Sequence, residues 1–358
     1  MPIDNDRRVR EPVDFQRTAV SGLSPAASQA QRRPSPDSAQ RAVEALPDAP
    51  AYADFLRNVG VALATGARAA AGEGVAPVQM AKADLETQSR LDDFRARFSG
   101  PYAVDGKSVQ ARPMFRMNTG FNDAQMHAHQ NELLALCKKA GCANAAVPAC
   151  YGRPTPEQLV KVTQVLIDAG KLGPGSDASL ELRIRQMQWE WGVGVDCAGY
   201  TEGAAAAARG GKSVQPSMND AFSSLTHDPS KRKVPVGGIR AGDVIHLNPP
   251  KGERVGHNVV VYDSKLADSA TRAQLSARSP EAAAFLRGAG PFQVLLVDSS
   301  WGAGEGHDFG GFRRDTWIHD TSTDSWGYFD HGSGSFGTST IGPHDEPYGG
   351  AFRAKGVS

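Results

Sequence analysis

Apolar residues recur at helical spacing through the first half of the chain. Leu159, Val162, Val165 and Leu166 share one face of a segment that opens on Thr155-Pro156-Glu157 and stops at Gly170. A Thr cap, a Pro in the first turn and an acid near the positive end of the dipole mark a helix start. The apolar stripe predicts that this helix packs on a core. Asp84 to Phe98 reads the same way, as does Asn122 to Ala140, which opens on an Asn cap and ends before Gly141. A further helix is predicted from Asp177 through Gln188, and a weaker one over 51 to 75, where Gly60 and Gly66 interrupt an Ala-rich run.

Beyond Gly210 the pattern changes to short apolar runs set off by Gly and Pro: DVIHL at 243–247, NVVVY at 258–262 and VLLVD at 294–298. These predict successive strands of a sheet. An Ala- and Arg-rich stretch at 264 to 290 predicts a surface helix between the last two. The tail after Trp301, rich in Gly, Asp, His and aromatic residues, predicts loops with some short strands. No internal repeat is visible.

Composition narrows the function classes. Lys plus Arg and Asp plus Glu balance at 39 each, so no global field draws the protein to nucleic acid or anionic lipid. No apolar run approaches the roughly 20 residues of a membrane span. Residues 1–50 are rich in Arg, Pro, Ser, Gln and Asp and poor in large apolar side chains, a composition that predicts a disordered leader. Such a leader is either a simple unstructured terminus or a segment read by a secretion machine or chaperone. The Arg residues at the start are followed by no apolar stretch, so a secretory signal peptide is not predicted.

Four cysteines are too few for a disulfide scaffold. Cys137, Cys142 and Cys150 cluster in the helical half, with His127 and His129 nearby, but their spacing lacks the paired ligands of a zinc site. A Cys142–Cys150 disulfide is the alternative if the protein works outside the cytosol.

Cys197 stands apart. It follows Val195-Asp196 and leads into an Ala-rich helical run, so it is expected at a helix N-terminus with Asp196 as the cap. Unpaired backbone N–H groups and the positive dipole end favour a thiolate there. Against this stands the ordinary fate of a cysteine, which is burial in a core. The second element is the stretch RAGDVIHLNPPKGERVGHNVVVYD at 240–263, a hairpin with Gly-His at the mouth of its second strand. His257 is therefore expected on a rigid element as general acid and base to the thiol. His246 alternates with Val244 in the first strand and is expected to be packed or solvated.

The segments WEWG at 189–192, DCAGY at 196–200, AGDVIHL at 241–247 and GHNVVVY at 256–262 resemble, in that order, the motifs of NlpC-type cysteine peptidases. These are papain-like enzymes related to the CHAP amidases, and the resemblance covers about residues 180 to 300. It implies an α+β fold in which a Cys-bearing helix packs on an antiparallel sheet, as a hydrolase domain at 176–358 with a C-terminal extension. The helical region at 51–175 and the leader precede it. It implies amide hydrolysis through acyl transfer, on peptidoglycan stem peptides or on other peptides, with no metal or cofactor. Asp298, at the end of the next strand, stands where the family places the residue that orients the histidine; its other reading is a cap on the turn into Ser299, Ser300 and Trp301.

The resemblance places substrate contacts at Trp189, Trp191, Asp196, Ser299 and Trp301. The chain departs from the pattern at Ala198, Tyr200 and Trp189. At Trp189 the family often has a Tyr that helps the oxyanion site, so Trp189 is either a pocket wall or core. A non-catalytic binding module and an acyltransferase are the alternatives on the same fold. The arrangement resembles a bacterial effector secreted without a signal peptide, with a secretion chaperone or immunity protein as partner; a cytoplasmic location is the alternative.

Overall fold

In the computed structural model the described residues are 77–116, 124–173, 179–211, 216, 231–235, 237–247, 257–302, 309–329, 335–339 and 350–354. The expected leader at 1–50 and the weak helix at 51–75 lie outside them. Helix α1 (Pro77–Arg97) is followed by a small hairpin, β1 (Tyr102–Val104) and β2 (Lys107–Val109). Four helices then lead to the cysteine segment: α2 (Ala124–Lys139), α3 (Ala143–Cys150), α4 (Pro156–Asp168) and α5 (Leu180–Glu190). Helix α4 starts as expected, with Thr155 and Gln158 forming a reciprocal capping box.

Helix α6 (Cys197–Ala208) begins at the cysteine itself. Strands β3 (Lys231–Lys233), β4 (Val244–Leu247) and β5 (His257–Leu266) follow. The stretch expected as one surface helix is two, α7 (Ser269–Ser276) and α8 (Pro280–Gly288), because Ser279 and Pro280 restart the helix with a new cap. The chain ends in β6 (Phe292–Trp301), β7 (Gly311–Asp320), β8 (Ser325–Phe329), β9 (Phe336–Ser339) and β10 (Gly350–Ala354).

The last eight strands form one antiparallel sheet in the order β3-β10-β4-β5-β6-β7-β8-β9. The tail expected to be mostly loop supplies four of its strands, and β10 inserts between β3 and β4. The fold is therefore α+β, with the Cys-bearing helix α6 lying on an antiparallel sheet.

Side chains alternate across β5. Val260 joins Leu91, Phe94, Phe98, Tyr200 and Ala204 in a core shared with the helices. Val259 and Val261 join Ile245, Leu295, Val297 and Trp317 in a second cluster. Residues on both sides of the expected boundary at 176 thus share the first core. Helix α1 is further tied to α6 and the sheet by Arg90, which donates to the Ala208 carbonyl at 3.1 Å, and by Arg95, which donates to Asp298 at 3.3 Å. No helix among the described residues is long and apolar enough to cross a membrane.

Candidate active site

Asp196 has extended backbone angles, and its carboxylate accepts from the Gly199 N–H at 2.6 Å, so it is the N-cap that starts α6 at Cys197. The other carboxylate oxygen accepts from Arg153 Nε at 2.8 Å, in a buried ion pair. Helix α6 comes this close because two of its positions lack a side chain. A Cβ on Gly199 would lie 2.3 Å from the Gly152 carbonyl oxygen, and one on Gly203 would lie 2.5 Å from the Phe94 ring. Thr201 Oγ1 donates to the Asn258 carbonyl at 3.3 Å, and Ser300 Oγ donates to the Val195 carbonyl at 2.7 Å, which pins the start of α6 to β5 and β6.

The backbone N–H groups of Asn258 and Ala198 favour the charged form of the Cys197 sulfur. Asn258 directly follows His257 on β5, and its carbonyl is bonded to Thr201, one turn along α6 from Cys197. No hydrogen bond joins Cys197 to His257 among the described residues. The His257 ring instead stacks on Trp301 with centroids 3.7 Å apart, on the face of β5 that carries Val259 and Val261. Its Nε2 is buried without a hydrogen-bond partner.

The electrostatics differ from the expected thiolate. Burial, and then the neighbouring Asp196 charge, push the Cys197 thiol up to about 12, outweighing the two N–H groups and Arg153, which act the other way. Burial pushes the His257 imidazole down, and the charges of Arg313 and His246 add to that. The resting pair is a neutral thiol and a neutral imidazole. The helix N-terminus is present, but desolvation is the larger effect.

Asp298 does not reach His257. It lies in register with Val260, and both its oxygens accept from Arg314 at 2.7 Å, with Arg95 a further donor at 3.3 Å. The carboxylate faces the helical side of the sheet, whereas the imidazole lies on the other face. Its alternative reading as a cap on the following turn fails as well, since β6 continues through Trp301.

Among the expected substrate contacts, Trp301 is half-buried against His257, and Ser299 is buried with its Oγ donating to the Asn258 carbonyl at 2.6 Å. Trp189 is half-buried 5.7 Å from the Phe309 ring, while Trp191 is buried and stacked on His129 at 4.9 Å, which makes it a core residue. Asp196 is occupied as cap and ion-pair partner.

Asn258 is not among the residues expected at the site, and His246 is expected to be packed or solvated. His246 is buried, and its Nδ1 donates to Asn258 Oδ1 at 2.7 Å. The signal available was the alternation itself, which puts Val244 and His246 on one face, opposite Val260 and Asn258 in the β4–β5 register.

The other cysteines form no disulfide: Cys137, Cys142 and Cys150 are buried free thiols. Burial pushes Cys137 up to about 12 and Cys150 up to about 11. Among the described residues no group of three or more His, Cys, Asp or Glu is placed to hold a metal ion. Compared with protein-family models, curated proteins and solved structures, the chain matches none.

Proposed function

We propose that the chain is a papain-like cysteine hydrolase of amide bonds, of NlpC type, with Cys197 as nucleophile and His257 as general acid and base. The observation that carries this reading is the placement of Cys197 at the N-terminus of α6, with the residue that follows His257 bonded through its carbonyl to Thr201, one turn along the same helix. A neutral pair reaches the same chemistry by general-base catalysis. Once the imidazole turns from its stack on Trp301 toward the sulfur, the thiol proton passes to His257 as the S–C bond forms at the substrate carbonyl. The Cys197 backbone N–H at the start of α6 is a donor for the developing oxyanion. The imidazolium then protonates the leaving amine as the C–N bond breaks. Water then attacks the thioester as His257 takes its proton, the C–S bond breaks to release the acid, and the imidazolium returns the proton to the sulfur, regenerating the free thiol.

Peptidoglycan stem peptides and other peptides are the proposed substrates. A peptidyl acyloxymethyl ketone, which alkylates catalytic cysteines, tests the assignment. It should label Cys197 in the native protein and lose at least about tenfold in rate with His257→Ala, since the two act as a unit. Labelling of Cys197 that is unaffected by His257→Ala would favour the non-catalytic module.

A further inference from the structure

Asn258 ties β5 to three other elements. Its carbonyl accepts from Thr201, one turn along α6 from Cys197, and from Ser299 on β6, and its N–H favours the charged form of the Cys197 sulfur. Its side-chain oxygen accepts from His246 on β4, while its buried amide nitrogen has no partner. The His246 bond is therefore the side chain's one hydrogen bond among the described residues. Both residues are almost wholly buried, Asn258 at 0% and His246 at 1% exposure, so no water competes for it.

We propose that His246 is a positioning residue which, through the side chain of Asn258, holds the Asn258 N–H on the Cys197 sulfur and so sets the reactivity of the thiol. The proposal rests on the reading of Cys197 as nucleophile. A histidine serves because its Nδ1–H donates to Oδ1 in the neutral form, and burial keeps His246 neutral by pushing its imidazole down. The pair does not take up the thiol proton. It fixes the point on β5 where a hydrogen bond favours the charged form of the sulfur.

The charged groups bearing on the sulfur are Asp196 at the cap and Arg153 from the loop after α3. Glu202 acts on Asp196 from α6, and Arg313 and His246 act on His257. None of these except His246 is altered in the test.

The test follows alkylation of each cysteine by iodoacetamide in the full-length chain across pH 6 to 10, by peptide mass spectrometry. His246→Phe should slow alkylation of Cys197 by about tenfold, equivalent to an inflection displaced upward by one unit. His246→Gln, whose amide can donate to Asn258 Oδ1, should restore the wild-type profile. Cys150, in the helical core, serves as the internal control and should be unchanged. Loosening of the fold would instead speed alkylation of both cysteines, which overturns the proposal. A wild-type Cys197 profile in His246→Phe overturns it too and leaves the nucleophile assignment standing. Failure of the peptidyl acyloxymethyl ketone to label wild-type Cys197 sinks both.

Discussion

At the residue scale the deciding contest is at the Cys197 sulfur, between a helix N-terminus that favours charge and a burial that opposes it. Burial wins and is reinforced by Asp196. With the thiol pushed up to about 12, alkylation of Cys197 should rise about tenfold per pH unit up to pH 9 with no plateau. A plateau beginning near pH 6 would mean that a thiolate–imidazolium pair forms after all. Asp196 faces a related contest, with burial pushing its carboxyl up to about 6 against Arg153 and the Gly199 N–H. Removing it by Asp196→Ala should destabilise the fold by about 3 kcal/mol, because a buried Arg153 loses its partner and α6 its cap. Thermal or urea unfolding measures this. The motif made the cap legible in the sequence; the sign of the thiol shift was not, because it depends on how many elements close over the sulfur.

At the element scale, α6 lies where it does because Gly199 and Gly203 let a loop carbonyl and the Phe94 ring approach its backbone. Gly199→Ala should cost about 1 to 3 kcal/mol by overpacking, read from the urea midpoint. The two central hydrophobic strands were legible because runs such as NVVVY carry no competing signal. Strand β7 was not: GFRRDTWIHD holds five charged or histidine side chains, a composition that reads as loop. It is a strand because Arg314 pairs with Asp298 across β6 and because Trp317 and Ile318 enter the apolar clusters on opposite faces. The same pairing accounts for Asp298, since a carboxylate at the end of an apolar run reads as a partner for the histidine while its cation lies in a strand whose composition reads as loop. Asp298→Asn should therefore leave turnover near wild type and lower stability, by up to about 3 kcal/mol for a buried pair left with uncompensated cations. A collapse of turnover in a fully stable Asn variant would return Asp298 to the site.

At the scale of the whole molecule, the first core crosses residue 176, where a helical region and a hydrolase domain are expected to meet. Leu91, Phe94 and Phe98 at the end of α1 and just beyond it share a core with Tyr200 and Ala204 of the cysteine helix, and Phe98 meets Phe312 of β7 at 5.1 Å. Helix α1 therefore packs against both α6 and the sheet. Phe98→Ala should cost about 3 to 5 kcal/mol, and a chain starting at 176 should fail to give the cooperative unfolding of the whole protein. Cooperative unfolding of that fragment with a wild-type midpoint would restore the two-part division.

The central claim, that Cys197 and His257 hydrolyse an amide bond, is tested most directly by product analysis. Purified protein would be incubated with peptidoglycan fragments and with a peptide library, and new amine and carboxyl termini read by mass spectrometry. Wild type should generate paired termini at one bond type, and Cys197→Ala and His257→Ala should each abolish them while melting as wild type does. Cleavage of the same bond by Cys197→Ala at an undiminished rate, or no cleavage by wild type of either substrate class, would contradict the account.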